Sequence, residues 1–530
     1  MSEPQIIKKK YGLWILAAII IIGGYLRILH LNQYSLWEDE FLHVFAAKGI
    51  LETGTTHLPS GALYDRSILY TYLVALFFKF FGISEISARM PSALLGTLMI
   101  PLTYIMASRF INRNAGIIAA FLVAFSPFCI AWSKISRMYA LLQPLYLLSV
   151  FFFYKAFEKN KNATVKSTAI NWLLFLATFY LSFSIHDQVV LFIPTVIVYC
   201  AGMFIYVYLQ KDFHSALRSK YFKLAIFMIV VGFCVLLFKI FIQKDDVLGF
   251  IKRPPVWSEE NARNIHFYQW ILQDSYPVVC YLYLPALLLF ILKKIKSGLF
   301  LGSCFLVPFL ALSLIFSWKD DRYMFFIFPL FLITSSFLIE YALYYGWRLY
   351  YSLTMSHLVG SLFKKRNTIA AFISCLFLFS LLYPILYPWI KIKPLTYMRF
   401  GAYDFNKITE AASRIDKNDI VICTQPFLME FYTQRKPDFM ITAFEFADKK
   451  TDLPQFTNKD AQPLDHHAGI PLISGLSQLK SLEKSQKRIW IITNAYLFKS
   501  QSIDAGIRAY VKENYQKLPL SAKVYEIYYK

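Results

Sequence analysis

Apolar stretches of about twenty residues recur through the first 390 positions, and each is long enough to cross the core of a bilayer as a helix. Backbone at that depth has no water to bond, so the pattern dictates helices. Composition agrees. Hydrophobic residues make up 57% of the 530 and mean hydropathy is +0.46, whereas soluble globular chains hold roughly 45–50% apolar residues. The chain therefore reads as a polytopic α-helical membrane protein. Its net charge of +22 would suggest nucleic acid in a soluble protein. Here the Lys and Arg cluster in short loops between apolar runs, which is how membrane proteins are oriented, so no nucleic-acid partner is expected. The seven cysteines are Cys129, Cys200, Cys234, Cys280, Cys304, Cys375 and Cys423. Six lie inside apolar runs and no pair has metal or redox spacing, so they read as packing residues.

The basic loops fix a predicted topology. Residues 11–31 form the first span, with Lys8, Lys9 and Lys10 holding the N-terminus in the cytoplasm. No small-residue cleavage site follows Trp14–Ile22, so no cleavable signal is expected. The run 67–81 is apolar but short, and Lys79 interrupts it. If it is interfacial or re-entrant, the second span is 90–108. The inner loops then carry Arg109 and Arg113; Lys155, Lys159, Lys161 and Lys166; Lys211, Arg218, Lys220 and Lys223; Lys293, Lys294 and Lys296; and Arg348, Lys364, Lys365 and Arg366. The opposite choice puts all five outside. Further spans follow at 115–133, 141–157, 168–185, 188–209, 222–242, 276–292, 298–317, 323–345 and 368–390, about eleven in all.

Residues 1–390 thus form a membrane domain with two long outer loops. Loop 32–89 carries interfacial helices, including an amphipathic one over 39–51. Loop 243–275, with Lys252, Arg253, Pro254, Pro255, Trp257 and His266, reads as a lid. From 391 to 530 the chain turns polar. Apolar strands at 419–424 and 488–493, with helices at 404–415, 474–486 and 503–515, predict a small soluble α/β domain on the extracytoplasmic side. This layout fits a bacterial inner membrane.

Polar residues then gather on the outer face. The first outer loop gives Glu38, Asp39, Glu40, His43, Asp65 and Arg66; the next gives Lys134, Arg137, Tyr139 and Gln143. His186 and Asp187 form a tight outer turn, and Trp318, Lys319, Asp320, Asp321, Arg322 and Tyr323 form a last group. Three consecutive carboxylates where a span leaves the bilayer are costly unless they meet water or a polar cavity. The bland account is a solvated loop with Asp39 as the N-cap of the next helix. The alternative is a site in which carboxylates act as base or metal ligands while Arg and Lys hold a phosphate. A lipid-linked phosphate donor and a neutral acceptor hydroxyl or amine suit that set, with Asp39 taking the acceptor's proton.

The residues resemble a family. Leu36-Trp37-Glu38-Asp39-Glu40 after the first span looks like the signature of GT-C superfamily membrane glycosyltransferases. It is most similar to the family 39 group, which includes protein O-mannosyltransferases and the lipid A aminoarabinose transferase. Arg89-Met90-Pro91-Ser92-Ala93-Leu94-Leu95-Gly96 resembles that group's opening of the second span. Ser136-Arg137-Met138-Tyr139-Ala140-Leu141 resembles its second outer loop, and Asp321-Arg322-Tyr323 with Pro329 its late outer motif. The resemblance covers roughly residues 10–345.

It implies an inverting transferase with a polyprenyl-phosphate sugar donor, set among membrane lipids, and with a protein, lipid or glycan acceptor. Asp39 would be the general base and Glu40 a helper or a partner to a divalent cation. Arg322, Arg137 and Lys319 would hold the donor phosphate and Tyr139 would hydrogen-bond it. Arg66, His43, Asp187 and Asp321 are candidate acceptor or sugar contacts. The chain departs from the pattern at Gln143, where some relatives keep an aspartate, and at Asp65-Arg66-Ser67-Ile68-Leu69, where a Pro-Pro-Leu stretch is common. A transporter or flippase for lipid-linked sugars is the rival reading; it would be expected to show internal repeats and midplane polar residues.

Overall fold

The computed structural model describes residues 9–158, 163–242, 264–317, 319–355, 405, 408–409, 412–441, 463–494, 498, 503–519 and 525–530. It is a polytopic α-helical membrane protein with a small C-terminal sheet. The first seven helices are α1 (Lys9–Ile28), α2 (Glu38–Thr53), α3 (Ile68–Phe81), α4 (Glu85–Phe110), α5 (Arg113–Phe125), α6 (Pro127–Ser133) and α7 (Tyr139–Phe157). Later ones include Val165–Ile185, Phe192–Gln210, Lys220–Ile242, Pro277–Lys293, Ile295–Leu314 and Phe328–Met355. Among the described residues eight helices are long and apolar enough to cross a membrane, or ten if two bent pairs each count as one span. The expected span at 368–390, most of the expected helix at 404–415 and most of the expected lid lie outside the described residues.

Two units emerge from the packing. The larger comprises Met1–Leu29, Ser92–Lys134 and Met138–Leu395. Its centre is aromatic: Phe153 meets Trp172, Phe175, Phe192 and Phe300 with ring centroids 5.2–5.8 Å apart. One expected span, 115–133, is broken. Pro127 has no N–H, so the carbonyl of Val123 loses its helical donor, and the chain bends by 59° between α5 and α6. Ser126 caps the new helix, its hydroxyl accepting from Cys129 N at 3.3 Å. Arg27, fully buried on α1, supplies the missing donors: Nη2 to Val123 O and Nη1 to Ala124 O, both at 2.9 Å. Gly96 permits this approach, because a Cβ there would fall 2.6 Å from Ser133 Cβ and 3.3 Å from Arg27 Nε.

The second unit joins His30–Pro91 and Ile135–Arg137 to Thr396–Lys530. Its six-stranded sheet is built from β1 (Ile420–Cys423), β2 (Phe439–Ile441), β3 (Leu472–Ile473), β4 (Ile489–Asn494), β5 (Gln516–Lys517) and β6 (Tyr525–Tyr529), in the order β3-β2-β1-β4-β6-β5. The first four are mutually parallel, with Ile420 opposite Ile489, and β6 runs antiparallel to β4 and β5. Helices Leu476–Glu483 and Ala505–Asn514 bury Leu479, Ile507 and Val511 against Ile422, Ile441 and Ile491.

The helix at 39–51 is not the amphipathic surface helix that its sequence suggests. It runs Glu38–Thr53 and is buried on most sides, including Phe41, His43, Val44, Phe45, Ala46 and Ala47. Its inward polar residues, Glu40 and His43, are taken up by protein partners rather than by water. Gly49 is needed where a Cβ would strike the backbone of His57. By contrast α3 buries Tyr70, Thr71, Val74, Ala75 and Phe78 and leaves Leu69, Tyr72, Leu76, Phe80 and Phe81 exposed, so its burial is one-sided.

Candidate active site

The start of α2 organises the second unit. Trp37, not Asp39, is the N-cap, so the three carboxylates fill the first helical turn, where the helix dipole favours negative charge. Consecutive residues point in different directions, and their environments diverge.

Glu40 turns inward and is 1% exposed. Its Oε2 accepts from Trp37 N at 2.8 Å and from Arg89 Nη2 at 2.7 Å. Its Oε1 accepts from Arg89 Nε at 2.9 Å and from Ser136 N at 2.6 Å. Four donors match the acceptor capacity of an ionised carboxylate. Arg89 is equally satisfied. Its remaining N–H groups reach Leu31 O, Tyr34 O and Ser35 O at 2.7–3.0 Å. This buried fork-to-fork pair pins the start of the first outer loop, the root of α4 and the 135–137 segment together.

Asp39 keeps access to solvent, with its side chain 29% exposed. Arg137 grips it twice, with Nη1 donating to the backbone O at 2.7 Å and Nη2 standing 3.4 Å from Oδ2. Glu38 is exposed at one edge and accepts from Gln425 Nε2 at 3.2 Å. Protein crowding raises its carboxyl, opposed by the Gln425 hydrogen bond and aided by repulsion from Asp39 and Asp465; its exposed edge keeps water within reach.

Behind this turn His43 is fully buried. Its Nδ1 lies 2.9 Å from Thr71 Oγ1, and the rings of Tyr64 and Tyr70 meet it edge-on at 5.2 and 4.9 Å. Burial, then the positive charge of Arg137, holds its pKa well below the usual histidine range, so the ring is neutral. Arg66 is exposed.

The larger unit gathers a second polar group. Lys319, 3% exposed, donates to Ser313 O at 2.7 Å and Asn264 O at 2.9 Å, which ties it to the end of the 243–275 loop. Desolvation lowers its pKa. Arg322 opens the short helix Arg322–Phe325, apart from the long helix that begins at Phe328, although one span over 323–345 was expected. Its Nε stands 3.5 Å from Asp320 Oδ2 and its guanidinium lies 5.2 Å from the centre of the Tyr323 ring. Asp321 is pushed up well above the carboxylate range by burial and by the neighbouring Asp320. Trp318 lies outside the described residues. The Tyr139 and His186 rings are 5.6 Å apart, and His186 and Tyr323 are 6.0 Å apart, forming an aromatic row beside this segment. Asp187 is exposed at the first position of a 3₁₀ turn. Gln143, the departure from the expected aspartate, donates to Phe325 O at 2.7 Å and so braces the Arg322 helix.

Sequence reasoning missed Arg89 as the partner of Glu40, although the motif around Arg89 was visible. It also missed Gln425 and Tyr432, which touch the first outer loop from the α/β domain. Among the described residues no three His, Cys, Asp or Glu side chains gather as a metal site.

A profile of the dolichyl-phosphate-mannose-protein mannosyltransferase family matches residues 65–238. No curated protein matches by sequence. Among solved structures, the chain is similar to ArnT from Cupriavidus metallidurans bound to undecaprenyl phosphate, at TM-score 0.60 and 12% identity with 98% of each chain covered. The apo state of that protein gives 0.59 at the same identity and coverage. The archaeal oligosaccharyltransferase AglB from Archaeoglobus fulgidus, in complex with an inhibitory peptide and a dolichol-phosphate, gives 0.56 at 12% identity, covering 93% of this chain and 70% of that one. At such identity the likeness is one of fold: the chain has the fold seen in ArnT and AglB.

Proposed function

We propose that this protein transfers a sugar from a polyprenyl-phosphate donor to an acceptor at the extracytoplasmic face of the membrane, with inversion at the anomeric carbon. The observation that carries the reading is the division of labour in the α2 turn. Glu40 is saturated by four donors, while Asp39 is accessible and held beside Arg137. Asp39 takes the proton of the acceptor hydroxyl or amine as that atom attacks the anomeric carbon. The bond from that carbon to the phosphate oxygen breaks, and the lipid phosphate leaves as an anion. Arg322 and Lys319 supply positive charge for it, with Tyr139 as a hydrogen-bonding neighbour. Glu40 is assigned to positioning Asp39 rather than to a metal. Arg66, His43, Asp187 and Asp321 are the remaining assignments: Arg66 and Asp187, being exposed, suit acceptor contact, and buried His43 supports the turn from behind. The ArnT structure with bound undecaprenyl phosphate and the AglB structure with a dolichol-phosphate support a polyprenyl-phosphate donor.

The test is a transfer assay with purified protein in detergent, using synthetic prenyl-phosphate sugars and candidate acceptors. Wild type is expected to transfer sugar without a bilayer, which a flippase cannot do. Asp39→Asn is expected to fold and to lose roughly 10²-fold or more in turnover. Near-normal turnover in that variant ends the assignment of Asp39 as base.

A further inference from the structure

The α/β domain reaches the catalytic turn through one helix, Pro426–Thr433, and one hydroxyl. Tyr432 Oη accepts from Leu36 N at 2.8 Å and donates to Glu85 Oε1. A tyrosine hydroxyl offers one donor, and both bonds are made at once. Leu36 immediately precedes the N-cap of α2, so this bond sets where the chain enters the helix. Glu85 lies one turn before Arg89 on α4, and Arg89 holds Glu40. Hydrogen bonds therefore link Tyr432 to Leu36 N and, one residue further on, Trp37 N to Glu40, the neighbour of Asp39, while Glu85 on the other side of the same hydroxyl feels the charge of Arg89.

Packing fixes both ends of this linkage. Phe427 stacks on Phe45 at 4.7 Å, and Phe431 meets Phe41 edge-on at 5.7 Å. Tyr432 itself packs on Phe405 at 5.5 Å, which meets Tyr525 of β6 at 5.1 Å. The sheet thus anchors the tyrosine. Gln425, just before the helix, donates to Glu38 in the same turn.

We propose that Tyr432 is a positioning residue for transfer: it fixes the entry of α2 and thereby the aim of the Asp39 carboxylate. This rests on the reading of Asp39 as the base. The α/β domain is then a working part of the catalytic centre. Whatever acceptor it meets is then linked to Asp39 through the Tyr432–Leu36 hydrogen bond and the start of α2 rather than through a flexible tether.

The experiment compares wild type, Tyr432→Phe and Asp39→Asn as full-length proteins in detergent, reading kcat, donor KM and Tm. Phenylalanine keeps the ring contacts and removes both hydrogen bonds. The expected result is a kcat about 10-fold lower, with donor KM within about 2-fold and Tm within a few degrees of wild type, because misaiming a reacting group costs turnover before binding. A merely structural role moves Tm and leaves kcat per folded molecule unchanged. Wild-type kcat in Tyr432→Phe, with Asp39→Asn inactive, overturns the positioning role alone. An active Asp39→Asn overturns the base assignment instead. If Tyr432→Phe does not fold, Glu85→Gln keeps the tyrosine and weakens its other partner. A kcat at least about 3-fold lower there supports the linkage, and an unchanged kcat overturns it.

Discussion

Glu40 and Asp39 share a helical turn, and the protein treats them as different chemical groups. Glu40 is taken out of water and given four donors, so its charge is a fixture of the fold. Breaking such a buried pair by removing one partner costs about 3–5 kcal/mol, because the other charge is left uncompensated. Asp39 is left in reach of solvent with Arg137 beside it. His43, one turn on, adds a pH signature. Its folded pKa lies below the ordinary value of 6.5, so its contribution to stability is complete above pH 6.5. As pH falls below 6.5, the unfolded chain binds a proton that the fold refuses, and stability drops by about 1.4 kcal/mol per unit. Thermal melts of His43→Gln are expected to show a flatter Tm between pH 6.5 and 5 than wild type. Arg322 differs again, since its planar fork suits a phosphate where a lysine offers one point of charge. Donor affinity is expected to fall in the order wild type, Arg322→Lys, Arg322→Ala, measured by binding of a prenyl-phosphate sugar; equal affinity in all three removes Arg322 from the donor site.

At the scale of elements, the break between α5 and α6 shows how a bend is held. Proline frees a carbonyl and a buried arginine on a neighbouring helix receives it. The arrangement needs Gly96 without a side chain, since a methyl there collides with Ser133 and crowds Arg27. Gly96→Ala is therefore expected to lose about 1–3 kcal/mol of stability, read as a lower Tm in detergent. Overpacking at this point acts on a helix–helix contact, so donor binding by the molecules that remain folded serves as the control.

Legibility differed from element to element. The long helices were visible because bilayer thickness sets a length and apolar residues fill it, and β1 and β4 were visible as short apolar runs. β2 and β3 are three and two residues long and leave no periodic trace. β6 reads Tyr-Glu-Ile-Tyr-Tyr, and its identity comes from pairing with β4. The burial of α2 was hidden because part of its cover, helix Pro426–Thr433, comes from nearly four hundred residues away.

For the whole molecule, the division of the chain follows packing rather than sequence order. The polar turn at composition 391 suggests a membrane domain followed by a soluble one, yet His30–Pro91 and Ile135–Arg137 pack as one unit with the C-terminal sheet. Sequence could place Glu38, Asp39 and Arg137 near a common surface. It could not show that Glu40 belongs to Arg89, because the pairing spans 49 positions and each residue alone resembles an ordinary charge at a helix end.

The Glu40 pocket also has a consequence for how the chain is made. Its carboxylate is encoded early, Arg89 follows 49 residues later and the Ser136 amide 96 residues later. A ribosome delivers these in sequence, so the first outer loop emerges with an anion whose neutralising shell does not yet exist. Until Ser136 follows the helix Pro127–Ser133, that anion lacks part of its shell. The charged centre around Glu40 is therefore complete only once residues 89 and 136 have both been made.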